Sequence, residues 1–274
     1  MHTQNSVLTS RLTLSIEKND VDYSLSRLGG MRHADDNPLG VEIRKFGAAT
    51  AFRIEAWPDF WYGNRVLGVD HSSEAHLEEI IDFFERLNLS FRFEIIPGMI
   101  NRKLASRLHG LGFCQVSFNT ALFRLPKANL KGAGKSFVVK EALPDEWDLF
   151  LDIYQDGFEL PRLNLNERKA VRSWLENDRS RLYLCIARLS DKPVGVGILF
   201  VNEGIGLLAD ATTLPEFRGK GCHTAMIHDR INQSRKRGCD LLTSFVEFNS
   251  PSHTNLEKAG LRVAYTKSMW YLAE

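Results

Sequence analysis

The sequence predicts an α/β chain built as two similar halves, each a mixed sheet with helices on both faces. Three observations predict it. Apolar strand-like runs alternate with amphipathic helical ones, the order of elements in the second half repeats that of the first, and a Pro-, Gly-, Ser- and Lys-rich stretch separates the two. At 274 residues there is room for one large or two small domains. A hydrophobic content of 43% and a charged content of 25% exclude disorder of the whole chain.

The elements follow in order. In EAHLEEIIDFFERLN, residues 74–88, Leu77, Ile80, Ile81, Phe84 and Leu87 recur at the i, i+3, i+4, i+7 spacing of a helix with one apolar face. LSFRFEII (89–96) then reads as a strand, RKLASRLHGLGF as a helix ending in glycine, and CQVSFNTALFRL as a further strand. PKANLKGAGKS has no periodicity and reads as a linker. The boundary falls near 127–136, dividing a first domain at 1–130 from a second at 136–274.

Beyond the linker, FVVK is a strand, a helix surrounds Trp147 to Tyr154, RLNLNERKAVRSWLEND is a second helix and RLYLCIARL a strand. GVGILFV and GLLADATTL continue as strands, HTAMIHDRINQSRKRG as a helix, CDLLTSFVEF as a strand, HTNLEKAGL as a short helix and RVAYTKSMWYL as the last strand. The endings of the halves align. LHGLGF (108–113) and LEKAGL (256–261) share a leucine, a glycine four residues on and then a large apolar residue. A half-chain repeat marks duplicated domains rather than a solenoid, whose periods are shorter.

Net charge is +1, so nothing global steers the chain to nucleic acid or to an anionic membrane. Cys114, Cys185, Cys222 and Cys239 form no CxxC pair and no zinc spacing, as expected of thiols in a reducing compartment. The first twenty residues lack a continuous apolar run, and no apolar stretch of membrane-spanning length occurs, so a cytoplasmic location is expected. His71 and His76 diverge around a helix and lack a third ligand, so no metal is expected.

Two glycine-rich stretches invite a phosphate reading. GAGKS lacks the first glycine of a phosphate loop, Asn129 standing in its place, and a strand rather than a helix follows it. RGKGCH (218–223) has the better context, because a buried strand precedes it and an amphipathic helix follows. Unpaired amides at a helix start, with the positive end of the macrodipole behind them, form an anion site. Gly219 and Gly221 let the main chain close on phosphate oxygens, and Arg218 and Lys220 add charge. A plain glycine turn with two solvated basic residues is the bland alternative.

This stretch resembles motif A of the Gcn5-related N-acetyltransferases, Q/R-x-x-G-x-G/A, with Arg218 and Gly221 in the first and fourth places and His223 where the family has glycine or alanine. NSPSHTNLEKAGL is similar to the family's N-x(10)-G-F segment, with Asn249 and Gly260 correctly spaced. The resemblance covers roughly residues 136–274. It implies tandem domains, each with a mixed, mostly antiparallel sheet flanked by helices. It also implies acetyl-CoA as co-substrate and a small-molecule or peptide amine as acceptor. The pyrophosphate would lie on the main chain of Gly219, Lys220, Gly221, Cys222 and His223. The pantetheine would run along Ala211, Thr212 and Thr213, with the thioester carbonyl at an N–H near Thr213 and Asn249 or Asn255 on the pantetheine or adenine side.

The tyrosine that often protonates the departing thiolate is replaced by Leu256. Tyr265 is then a candidate acid, and Asp210 or Glu247 a candidate to take the amine's proton; each also has a structural reading as a core or backbone-satisfying residue. Cys222 faces the core and is a poor nucleophile. Arg162 and Arg168 lie where the family builds its acceptor pocket, as contacts for an acidic substrate or as solvated charges. In the first half, VDHSSEAHL carries Asp70 and Glu74 at the helix start and no glycine. Carboxylates there cap the helix and repel phosphate, so this half is expected to lack the cofactor site and to cover a sheet edge or wall the acceptor pocket. Leu256 leaves a second reading open, a non-catalytic acyl-CoA-binding module.

Overall fold

The computed structural model describes residues 8–60, 62–125 and 136–273; the expected linker, and with it most of GAGKS, lies outside the described residues. The first half runs α1 (Ser10–Arg32), β1 (Val41–Phe46), β2 (Ala49–Ile54), β3 (Arg65–Leu67), α2 (Leu77–Glu85), β4 (Arg92–Ile95), α3 (Arg102–Gly110) and β5 (Phe113–Arg124). The second runs β6 (Phe137–Glu141), α4 (Trp147–Phe158), α5 (Leu165–Asn177), β7 (Leu182–Leu189), β8 (Lys192–Asn202), β9 (Ile205–Thr213), α6 (Cys222–Lys236), β10 (Leu241–Glu247), α7 (Pro251–Lys258) and β11 (Arg262–Leu272).

The strands form one sheet in the order β1-β2-β3-β4-β11-β5-β10-β9-β8-β7-β6. Only β3 with β4 and β9 with β10 pair in parallel; every other neighbouring pair among the described residues is antiparallel. Each half therefore contributes a mixed, mostly antiparallel sheet, and the two join edge to edge. The final strands are exchanged. β5, which closes the first half, pairs with β10 of the second, while β11 pairs with β4 of the first. β5 and β11 then pair with each other at the centre.

Local sequence explains most elements. The α2 stripe Leu77, Ile80, Phe83 and Phe84 is buried, and Phe84 stacks on Phe91 with ring centroids 4.1 Å apart. Asn101 caps α3 by accepting from the Leu104 N–H, and Asn164 with Glu167 forms a capping box on α5. On one face of the second half, α6 packs Met226, Ile227 and Ile231 with Leu199, Leu208 and Leu242. On the other, Phe150 and Trp174 of α4 and α5 join Ile198 and Phe200 of the sheet and Tyr23 of α1 in one core.

Helix α1 has no counterpart in the sequence reading. Its buried residues include Asn19, Asp20, Ser24 and Ser26 beside Ile16, Tyr23, Leu28 and Met31, so it presents no apolar stripe. It crosses from the first half onto α5 and β9. Its polar residues find partners there, Asn19 Nδ2 donating to Thr243 Oγ1 at 3.0 Å.

Candidate functional site

The parallel pairing of β9 with β10 runs only from Ile205 opposite Leu241 to Leu207 opposite Thr243. Beyond it the strands part. Each continues on its other side, β9 with β8 as far as Thr213 and β10 with β5 as far as Glu247. Ser244 Oγ donates to the Leu208 carbonyl at 3.0 Å where the gap begins. The sheet is thus forked in the second half, with unpaired backbone along the inner edges.

β9 bulges in the fork. Ala209 lies opposite Ile198 and Ala211 opposite Gly197, so Asp210 is the inserted residue. Arg230 of α6, 1% exposed, braces the bulge by donating to the carbonyls of Ala209 at 2.8 Å and Ile198 at 3.0 Å. Gly197 makes room for it, since a Cβ there would come within 3.1 Å of the Arg230 Cζ. The Asp210 carboxylate is held from the opposite side. Its Oδ2 accepts from Arg27 Nη1 at 2.9 Å, Tyr23 OH at 3.0 Å and Tyr154 OH at 3.1 Å. Its Oδ1 receives none of these three donors.

After β9 the chain passes through a 3-10 turn, Pro215–Phe217, into Arg218, Gly219, Lys220 and Gly221. Gly219 and Gly221 have φ of 75° and 92°. A Cβ on either would meet nothing within 4 Å, so the backbone conformation and not crowding requires glycine. Gly221 is the N-cap of α6 and, as a glycine, supplies no side-chain cap. Arg218 is engaged elsewhere, bonding the carbonyls of Gly157 (2.7 Å) and Thr213 (3.2 Å) and pairing with Glu159 at 3.0 Å. It ties the loop to the end of α4, and the Glu159 carboxylate offsets the charge that Arg218 is expected to add beside the glycines. Lys220 stays exposed, its Nζ 3.0 Å from the Glu216 carbonyl.

The remaining expected residues separate into those at the fork and those away from it. Ala211, Thr212 and Thr213 are on its β9 edge, and Glu247 is exposed on the cavity rim at the end of β10. His223 Nδ1 lies 3.2 Å from Asn255 Nδ2; burial, helped by the Arg230 charge, pushes its pKa down to about 4, so the ring is neutral near pH 7. Cys222 is buried in the core, and burial raises its thiol pKa. Asn249 is exposed and uses its backbone N–H on His253 Nδ1 at 3.0 Å. Leu256, 2% exposed, faces the cavity. Arg162 pairs with Asp152 and Asp156, and Arg168 with Asp148 and Asp152.

Tyr265 lies elsewhere. Because β5 intervenes between β10 and β11, its hydroxyl is carried away from the fork and donates to Glu17 of α1. Burial and the Glu17 carboxylate raise its pKa, which removes the geometric basis for a role as acid at the fork.

A cavity of about 490 Å³ occupies the fork, reaching Asp210, His223, Arg230 and Leu256, and the first half walls it with Phe60, Tyr62, Arg65 and Arg92. The sequence reading missed Tyr23, Arg27, Tyr154 and Arg230. Of these only Arg230 left a local signal, an arginine four residues after Met226 on an otherwise apolar helix face.

The first half differs at the corresponding place. Asp70 caps the turn His71–His76, its Oδ1 accepting from the Ser72 N–H at 2.8 Å while its own N–H donates to Ser73 Oγ at 3.2 Å. Glu74 instead pairs with Lys103 at 2.9 Å. Over β3, β4 and β11 lies a buried charge cluster. Lys267, 0% exposed, bonds Asp20 at 2.6 Å and Glu17 at 3.1 Å. Arg65 bonds Asp20 and Glu94, and Arg92 bonds Glu94 at 2.7 Å. Among the described residues no three His, Cys, Asp or Glu side chains form a metal-sized cluster, and no helix is long and apolar enough to cross a membrane.

Residues 147–261 match the model of the acetyltransferase (GNAT) family. Among similar solved structures is a GCN5-related N-acetyltransferase from Kribbella flavida, with TM-score 0.65 and 15% identity, covering 93% of this chain and 96% of that one. A functionally unknown conserved protein from Staphylococcus epidermidis has TM-score 0.62 and 12% identity, covering 86% and 96%. A tandem GNAT protein from the clavulanic acid biosynthesis pathway has TM-score 0.58 and 13% identity, covering 92% and 95%. At these identities the likeness is one of fold. No curated protein matches the chain.

Proposed function

Because residues 147–261 match the model of the acetyltransferase (GNAT) family, we propose that the chain is an acetyl-CoA-dependent N-acetyltransferase whose second half, 136–274, carries the reaction. The first half, 1–130, is its support, without a cofactor site. One observation carries this reading: the forked β9–β10 pair ends beside a helix start whose N-cap residue is a glycine with no side chain to cap it. The residues fit such a donor, since the space over Gly219 and Gly221 is open and the fork opens into a cavity.

Acetyl-CoA, when bound, supplies an acetyl group activated as a thioester. The amides from Gly219 to His223 would hold its pyrophosphate, with the α6 dipole behind them. The unpaired edge at Ala211, Thr212 and Thr213 offers backbone groups along the fork. Asp210 takes the proton of the attacking amine. Its Oδ2 is fixed by Arg27, Tyr23 and Tyr154, which leaves Oδ1 as the basic atom and sets the carboxylate's orientation. Glu247, on the rim, is the second carboxylate able to relay a proton. The buried Cys222 thiol, its pKa raised, does not favour a covalent enzyme intermediate, so the amine attacks directly and positioning supplies much of the rate.

Free CoA released from acetyl-CoA, followed with a thiol reagent across a panel of primary amines, tests the proposal. Asp210→Asn should lower kcat by about 100-fold while acetyl-CoA affinity is kept; an unchanged kcat removes Asp210 from the mechanism. Leu256 on the cavity wall, where a phenol would stand in relatives, favours one alternative, an acyl-CoA-binding protein without turnover. Calorimetric binding of acetyl-CoA with no CoA release on any amine would establish that alternative.

A further inference from the structure

A second cavity, about 520 Å³, lies beside the fork and shares Arg27, Phe60, Tyr154 and Leu160 with the first. Both halves build it. Trp57 and Phe60 come from the loop after β2, and Phe150, Gln155 and Trp174 from α4 and α5. Trp57 is anchored across the halves, its Nε1 donating to Glu167 Oε1 at 3.0 Å. Phe60 stands edge-on to Trp57 with centroids 5.5 Å apart. The Arg27 guanidinium lies 5.9 Å from the Phe60 ring and 5.7 Å from Trp174 while bonding Asp210. It therefore forms the junction between this chamber and the proposed basic carboxylate.

One polar atom in the wall is unsatisfied. Gln155 is 2% exposed; its Nε2 donates to the Pro161 carbonyl at 2.6 Å, but its Oε1 is buried with no hydrogen-bond partner. A buried acceptor left unpaired costs about 1–3 kcal/mol, and a shift of the Gln155 side chain that turned Oε1 to a ligand N–H or O–H in the cavity would relieve that cost. The size suits one aromatic or bicyclic body, since pockets of roughly 300–1,000 Å³ hold small organic ligands.

Resting on the acetyltransferase reading, we infer that the acceptor is an amine with an aromatic body that carries its own hydrogen-bond donor. The body seats between Trp57, Phe60 and Trp174, its donor meets Gln155 Oε1, and the amino group passes Arg27 and Tyr154 to reach Asp210. The first half thereby selects the acceptor through Trp57 and Phe60.

Calorimetric titration of the full chain with tyramine, 2-phenylethylamine and ethanolamine, each with and without saturating CoA, tests this separately from turnover. Tyramine should bind at least about tenfold more tightly than ethanolamine, and tighter than 2-phenylethylamine by about fivefold or more. Gln155→Leu should collapse the tyramine-to-phenylethylamine ratio toward one. Trp57→Ala, checked for an intact melting transition, should weaken both aromatic amines by about tenfold. Ethanolamine binding as tightly as tyramine overturns the inference, and equal affinity of the two aromatic amines for the unaltered chain overturns the role of Gln155. Failure of acetyl-CoA itself to bind would instead defeat the acetyltransferase reading, because the amine titrations do not depend on it.

Discussion

Asp70 and Gly221 stand at equivalent places, each at the N-cap of the helical segment that follows the first strand of a parallel pair, and the chain treats them oppositely. At Asp70 a carboxylate takes the first amides for itself; at Gly221 the N-cap residue has no side chain to do so. The strand pairs differ in the same sense. Beside β3 and β4, Lys267, Arg65, Arg92 and their carboxylates satisfy one another, Arg65 and Arg92 also walling the cavity, whereas between β9 and β10 the backbone edges part over it. A duplicated frame therefore holds one self-satisfied copy and one that leaves backbone and space for a ligand. The proposed function places the reaction in the open copy.

Four substitutions or conditions break or sharpen this contrast. The largest effect is expected from Lys267→Met, which takes from buried Glu17 the cation it pairs with and leaves Asp20 with Arg65 alone. Urea unfolding should show a loss of about 3–5 kcal/mol; a neutral result would mean the filled copy does not stabilise the chain. Gly221→Asp converts the open helix start into a copy of the capped one. Acetyl-CoA affinity measured by calorimetry should fall by about 100-fold, or near 3 kcal/mol, and an unchanged Kd would break the contrast outright.

Next comes pH. His223 titrates at about 4 in the folded chain, depressed chiefly by burial, against about 6.5 when unfolded. Between these values the unfolded chain binds more protons, so stability falls as pH drops through that window, by about 2 kcal/mol from pH 7 to 5. His223→Gln should show a correspondingly shallower loss in urea midpoints over that range. Least in size, Asp70→Ala should cost about 1 kcal/mol as a lost cap. Acetyl-CoA stoichiometry should stay at one per chain, because no glycine loop like 219–221 opens the first half's helix start; two per chain would show that Asp70 alone had kept the ligand out.

What the sequence reveals follows from the range of the interactions involved. The stripe of Leu77, Ile80 and Phe84 and the glycines 219 and 221 are local patterns, and both mark elements found where expected. Helix α1 was hidden because its buried face is polar, with Asn19 Nδ2 and the Asp20 carboxylate partnered by Thr243 and Lys267 more than 200 residues away. The partners of Asp210 were hidden for the same reason: Tyr23 and Arg27 lie on α1, 187 and 183 residues distant. Tyr265 was misplaced because periodicity fixes which face a strand residue occupies but not which strand lies beside it.

The exchanged strands bear on how the chain is made. β4 has no neighbour on its inner side until residues 262–272 exist, and β5 gains its β10 partner only after residues 241–247 do. During synthesis the earlier half must wait with raw hydrogen-bonding edges, the kind of surface that recruits foreign strands. Closure spanning such separations is slow. A fragment cut between the halves would thus yield two sticky pieces rather than two domains, while co-expressed fragments could knit back together through β5 and β11.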